Sequence, residues 1–298
     1  MTPMLFALPG NETMCARLAE QLGWDTGALE TRRFPDGESY LRFADAVRGR
    51  EVVLVCTLDR PDDKAISLVL AAGIARENGA TRVGLVAPYL AYMRQDAVFK
   101  PGEGITSGHF ARLLSGAVDW MVTIDPHLHR HATLDEIYTI PTLVVKAAPS
   151  ISAWIARELR QPVIVGPDGE SEQWAAEVAR DAGCAVTVLT KTRHGDHDVE
   201  VSVPDTAHWQ GFTTVLVDDI ASTARTMIAA AGHITAAGLA APVCIAVHPV
   251  FAGSAYADLQ AAGVSRIVSC NTIAHPSNAI DLSAPLAAGI RTLHARLG

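Results

Sequence analysis

The sequence predicts an α/β protein made of two similar doubly wound parallel-sheet domains, and three observations predict it. Short apolar runs alternate with helical patterns along the whole chain, and continuous apolar strands imply sheets buried on both faces. Helical stretches stop at Gly23, Gly79, Gly183, Gly238 and Gly263, where a left-handed residue closes a helix. The chain has 298 residues, 49% hydrophobic and 19% charged, enough for two cores of ordinary domain size.

In the first half, the runs at 5–8, 52–56, 83–87 and 121–124 read as buried strands. Helical patterns cover 11–22, with Asn11 as candidate N-cap, then 64–78 and 107–115. In the second half, strands are expected at 163–165, 186–189, 215–217, 243–247 and 267–268, with helices at 171–182, 223–237 and 254–262. Both halves repeat strand, helix, strand, without a residue-level repeat. The join is placed at 146–150, giving domains 1–146 and 147–282, with a helix at 283–298 that can pack back on the first.

Composition narrows the function. The formal net charge is -8, and no basic stripe appears, so nucleic acid is not an expected partner. A phosphate site must then be built locally, from backbone N–H groups, a few cations or Mg²⁺. Cys15, Cys56, Cys184, Cys244 and Cys270 are scattered, odd in number and free of any C-x-x-C pair, as expected for reduced, buried thiols. The first residues lack a basic segment before an apolar one, and no apolar run reaches about 18 residues. A cytoplasmic protein with no membrane contact is expected.

Chemistry concentrates where strands end. Segments 123–127 (TIDPH), 165–169 (VGPDG), 217–219 (VDD) and 247–249 (VHP) each close an apolar run with polar or proline residues. In open α/β sheets, ligands bind outside the carboxyl ends of strands. Two polar loops, 88–105 and 191–198, are long enough to be functional. The strongest signal is 214–227, TVLVDDIASTARTM. A strand delivers Asp218 and Asp219, and a small-hydroxyl turn leads into a helix whose free N–H groups favour an anion. Ser222, Thr223 and Thr226 add hydroxyls, making a phosphate cradle, while two carboxylates suit a ribose diol. There is no G-x-x-x-x-G-K-[ST] and no G-x-G-x-x-G, so neither a P-loop nor a dinucleotide fold holds the phosphate.

Segment 214–227 resembles the phosphoribosyl diphosphate (PRPP)-binding loop of type I phosphoribosyltransferases and of PRPP synthetases. Four further segments favour the synthetases: Arg33-Phe34-Pro35-Asp36-Gly37-Glu38, Pro88-Tyr89-Leu90-Ala91-Tyr92-Met93-Arg94-Gln95-Asp96, Thr123-Ile124-Asp125-Pro126-His127 and Lys191-Thr192-Arg193. Five motifs in the family's order cover most of the chain. The K-T-R and D-D-I-x-S-T forms lean towards the archaeal-type, class III-like members.

The resemblance implies domains of the type I phosphoribosyltransferase kind and a ribose-phosphate diphosphokinase using ATP, ribose 5-phosphate and Mg²⁺. It implies ATP binding by Phe34, Asp36, Glu38, Arg94, Gln95, Asp96 and His127. It further implies ribose 5-phosphate binding by Asp218, Asp219, Ser222, Thr223, Ala224, Arg225 and Thr226, with Mg²⁺ at His127 and Asp168 and catalysis by Lys191 and Arg193. Arg94 can fork onto phosphate oxygens, and two cations can offset charge on a transferring phosphoryl group. In the family, the 33–38 type of loop reaches a neighbouring subunit's ATP site, which implies a homo-oligomer, a dimer or larger. His129 and His131 receive no role, and a zinc site at the alternating histidines lacks a partner cluster.

Three departures stand out. Ala224-Arg225 replaces Gly-Gly; a positive φ at either position strains the chain, whereas a helical turn accepts both and adds positive charge near the 5-phosphate. Glu170-Ser171 stands where the family has glycines, and Pro126 and Leu128 flank His127 without the family's Gln. Two rivals follow: an impaired regulatory subunit of such an enzyme, and a phosphoribosyltransferase that consumes PRPP.

Overall fold

Runs of Val, Ile and Leu become the central strands of two separate sheets. The computed structural model describes residues 2–128, 130–166, 172–193, 199–202 and 206–298. Contacts divide the chain into one unit of Met1–Val145 with Ser283–Gly298 and a second of Lys146–Leu282.

The first unit runs β1 (Met4–Ala7), α1 (Glu12–Leu22), β2 (Asp25–Gly27), β3 (Leu29–Arg33), β4 (Ser39–Phe43), β5 (Glu51–Val55), α2 (Pro61–Glu77), β6 (Arg82–Ala87), α3 (Thr106–Ala117), β7 (Trp120–Ile124) and β8 (Thr142–Val145). The second runs α4 (Ala148–Glu158), β9 (Pro162–Gly166), α5 (Glu172–Ala182), β10 (Ala185–Val188), β11 (Thr190–Arg193), β12 (Val199–Ser202), β13 (Thr213–Ile220), α6 (Arg225–Ala236), β14 (Val243–His248), α7 (Ala255–Ala261), β15 (Arg266–Cys270) and β16 (Asn278–Ile280). The chain then returns to the first unit as α8 (Ser283–Leu297), which packs on α1, β7 and β8.

Each unit has one six-stranded sheet, ordered β2-β1-β5-β6-β7-β8 and β10-β9-β13-β14-β15-β16. All pairings within them are parallel. Counting each sheet's strands along the chain, both read 2-1-3-4-5-6, so the two halves share one topology. Right-handed crossovers reverse direction after the second strand, so α1 covers one face and α2 with α3 the other; α5 and the pair α6, α7 repeat this in the second unit. The two switch points lie between β1 and β5 and between β9 and β13.

The predicted strands all form, with ends shifted by at most three residues. The reading missed β2 and β16, three-residue edge strands, and the hairpin strands β3 and β4, whose residues LETRR and SYLRF are too polar to read as buried. It also missed β8 and α4. The five expected helix-closing glycines all have positive φ, between 64° and 87°. Asn11 stands at the N-cap of α1 but makes no side-chain cap bond. Its buried amide instead closes the first unit's switch point: Oδ1 accepts from the Thr57 N–H at 2.7 Å, and Nδ2 donates to Leu8 O at 3.2 Å and Pro9 O at 3.3 Å.

Cys15, Cys56, Cys244 and Cys270 are buried, and none of the five cysteines is in a disulfide. Burial raises the thiols of Cys15, Cys56 and Cys244 to about 12, which keeps them unreactive. Among the described residues, no helix is long and apolar enough to cross a membrane.

The first core is tightest at Trp120, 1% exposed, whose Nε1 donates to Glu51 Oε1 at 2.7 Å. Its indole lies against Gly84, where an added Cβ would meet ring atoms at 2.1 Å. Gly84→Ala is therefore expected to destabilise the chain by at least about 1–3 kcal/mol, the usual cost of overpacking. Urea unfolding with a lowered midpoint checks this; an unchanged midpoint means that the indole relocates freely.

Candidate active site

In the second unit, strand β13 outlasts its neighbour β9, pairing with it through Leu216 and Val165. Asp218 and Asp219 thus emerge at the carboxyl edge beside the switch point. Both are half-buried. The Asp219 N–H donates to Asp218 Oδ1 at 2.9 Å, and the Ile220 N–H donates to Asp219 Oδ1 at 2.7 Å. These local bonds orient both carboxylates before any ligand arrives.

After β13 the chain turns through 221–224 and enters α6. Ala221, Ala224 and Met227 are buried, whereas Thr223, Arg225 and Thr226 are exposed and Ser222 is half-buried. The apolar side chains anchor the turn and present the polar ones to solvent. The residue that opens α6, Ala224, has no polar side chain with which to cap it, and a helix start offers its first-turn N–H groups to an anion.

The structure decides between the two options for Ala224-Arg225. Ala224 has φ 55° and ψ 10°, the left-handed region, whereas Arg225 is the first helical residue. One family glycine is replaced at strain and the other is not. A left-handed L-residue costs about 1–2 kcal/mol, so Ala224→Gly is expected to stabilise the chain by about 1 kcal/mol. Arg225→Gly should act with the opposite sign, because glycine weakens a helix. Paired denaturation curves that shift in the same direction would contradict this assignment.

Asp168, Glu170 and Ser171 lie outside the described residues. Lys191 and Arg193, expected in a loop, belong to strand β11, which pairs antiparallel with β12, Lys191 opposite Val201 and Arg193 opposite Val199. Polar residues in both strands concealed this hairpin from the sequence.

In the first unit, Phe34, Asp36 and Glu38 share the turn of the β3–β4 hairpin. The Phe34 N–H donates to Glu38 O at 2.8 Å, the Gly37 N–H to Phe34 O at 2.9 Å, and the Glu38 N–H to Asp36 Oδ1 at 3.2 Å. Phe34 is 39% exposed, and the Arg32 guanidinium lies 4.5 Å from its ring centroid. The turn thus presents an aromatic face and two carboxylates. A cavity of about 320 Å³ flanks it, lined by Arg33 and Glu38 on one side and Asp62 and Asp63 on the other.

Segment 88–96 follows β6. Arg94 is exposed. Gln95 is fixed at the start of α3, its Oε1 accepting from the Thr106 hydroxyl at 2.8 Å and its carbonyl from the Ser107 N–H at 3.3 Å. Asp96, also expected among the ATP-binding residues, is buried. Its side chain is 1% exposed, and Oδ1 accepts from Arg130 Nη1 at 2.7 Å, so it anchors the loop from beneath. Arg130, which the sequence reading overlooked, also lies over Phe99 at 5.1 Å.

Asp125, 7% exposed, closes β7 with φ 29°, and its N–H donates to Val145 O at 3.1 Å. This bend sends His127 beyond the strand end, half-buried. His131 bonds Glu136 at 2.9 Å, which holds that carboxylate below its usual range. His129 lies outside the described residues. Among the described residues, no group of three His, Cys, Asp or Glu could hold a metal ion.

Comparison with known proteins gives two family matches, "N-terminal domain of ribose phosphate pyrophosphokinase" over residues 3–117 and "Phosphoribosyl transferase domain" over residues 133–284. A ribose-phosphate pyrophosphokinase from Methanopyrus kandleri is 32% identical over 279 residues, 93% of this chain and 94% of that one. Another from Halobacterium salinarum is 34% identical over 272 residues, 91% of this chain and 94% of that one. Among solved structures, phosphoribosylpyrophosphate synthetase from Mycobacterium smegmatis has a TM-score of 0.86 at 23% identity, covering 99% of this chain and all of that one. At that identity the likeness speaks for the fold.

Proposed function

The chain belongs to the ribose-phosphate pyrophosphokinase family, and from that premise we propose that it transfers the diphosphoryl group of ATP to the 1-hydroxyl of ribose 5-phosphate, releasing AMP and PRPP. The observation that carries this reading is the cradle of the second unit: two pre-oriented carboxylates at the end of β13, followed by a helix start lined with hydroxyls. Asp218 and Asp219 accept hydrogen bonds from the ribose hydroxyls. Ser222, Thr223, Ala224, Arg225 and Thr226 surround the 5-phosphate with N–H, O–H and guanidinium donors.

Arg94 and Gln95 bind ATP, with Phe34, Asp36 and Glu38 supplied by a neighbouring copy in a homo-oligomer. Asp96 serves that site through Arg130 and not by direct contact. Lys191 and Arg193 offset the charge that develops on the transferring group. Positioning and neutralisation are the main demands of phosphoryl transfer, so no dedicated general base is assigned.

Mg²⁺ is the implied ion. The carboxylates at the strand ends are hard oxygen donors that suit it, and such an ion keeps several waters and leans on substrate phosphates. His127 and Asp168 are the residues assigned to hold it. When bound, it neutralises phosphate charge and orients the diphosphoryl group.

The test is a coupled assay for AMP release that depends on ribose 5-phosphate, at millimolar Mg²⁺. Release that needs both substrates is expected. Failure of the purified chain to turn over, alone or mixed with candidate partners, would overturn the catalytic reading in favour of a regulatory subunit. Diphosphate release from PRPP that needs a nucleobase would replace it with phosphoribosyl transfer.

A further inference from the structure

We infer that His248 and Thr272 are positioning residues for the phosphate cradle, acting through the turn at 248–252. This rests on the reading of 218–226 as the ribose 5-phosphate site and adds a support from β14 and the β15–β16 connection.

The backbone links come first. The Ala221 N–H donates to His248 O at 3.1 Å. In return, the Phe251 N–H donates to Ala221 O at 2.8 Å, and the Ala252 N–H to Ser222 O at 3.0 Å. The start of the cradle is therefore held from below by three main-chain bonds to one turn. A turn can hold a loop in place only if it is itself fixed.

The 248–252 turn is fixed by buried side chains. His248 and Thr272, each 1% exposed, meet with Nδ1 and Oγ1 3.0 Å apart. The Thr272 hydroxyl donates to Val247 O at 2.8 Å, so it accepts from the imidazole and Nδ1 carries the proton. A second contact lies farther along the turn. Phe251 has φ 35°, and its ring packs against His275 at 4.8 Å and Tyr256 at 5.2 Å. His275 is held by Ser277, whose hydroxyl lies 2.7 Å from Nδ1 and in turn 2.7 Å from Ser269 Oγ. A left-handed phenylalanine is unfavourable alone and persists where its surroundings over-determine it. The connection after β15 thus grips the turn, and the turn grips the cradle.

The experiment is substrate kinetics on the full chain with Thr272→Val and Thr272→Ser, alongside thermal unfolding. Valine keeps the volume and removes the hydroxyl. Two buried hydrogen bonds are lost, one to Val247 O and one from His248, and a rise of about tenfold is expected in the KM for ribose 5-phosphate. The KM for ATP should stay within about twofold, and serine should restore the original value to within about twofold. Equal changes in both KM values, or a lowered Tm with neither changed, would reduce the contact to general stability and overturn the proposal.

Hydrogen exchange on the unmodified chain tests the same support without a variant. The Ala221, Phe251 and Ala252 amides are expected to be protected before ligand is added; free exchange there would also overturn it. If the unmodified chain fails to bind ribose 5-phosphate by calorimetry, the site reading falls and the positioning role with it. Normal binding that is insensitive to Thr272→Val removes the positioning role alone.

Discussion

Replacing Lys191 by alanine is expected to lower turnover by about 10²–10³-fold, the usual effect of removing one placed donor to developing charge. The affinity for ribose 5-phosphate should hardly change, because the contact forms mainly in the transition state. Steady-state kinetics with a separate binding titration measure the two quantities. Equal losses in binding and turnover would make Lys191 a substrate anchor, and an unchanged turnover would remove it from the chemistry. The pairing of β11 with β12 places Lys191 and Arg193 on a hairpin strand.

Asp218→Asn and Asp219→Asn should each weaken ribose 5-phosphate binding by about 10–100-fold, since hydrogen bonds to a charged group are worth about 1.5–3 kcal/mol. Asparagine is the informative choice. Its carbonyl oxygen can still accept the backbone N–H bond that each Oδ1 now receives, so the turn survives while the charge is lost. Calorimetry with ribose 5-phosphate reads the effect, and ATP binding serves as control. Unaltered ribose 5-phosphate affinity in both variants would separate the acidic pair from the pentose. Ala224→Gly bears on the same loop from the backbone: it removes strain without touching a polar group, so the two kinds of variant distinguish donor chemistry from loop geometry.

Much of the architecture was legible because a doubly wound sheet hides its central strands on both faces. Val52, Val53, Leu54 and Val55 are fully buried, as are Val163, Ile164 and Val165, and such runs announce themselves without periodicity. Of the edge strands, only β10 carries such a signal. β2 and β16 are short, and β3, β4, β11 and β12 belong to polar hairpins. The acidic pair was legible for a related reason: charge directly after an apolar run has nowhere to lie except the strand end.

The residue order alone settled the fold class, the repeated strand-helix-strand plan, the carboxylates at the end of β13 and the motifs that carry the family resemblance. Tertiary structure alone decided that Ala224 is left-handed while Arg225 is helical, that Asp96 is buried under Arg130, and that Asn11 closes a switch point and leaves its helix uncapped. It also brought His248 to Thr272, 24 residues away. Patterning reports which residues avoid water, a property of neighbours within a few positions. Backbone strain and the partners of buried polar groups depend on segments distant in sequence, and these meet only once the sheets have formed.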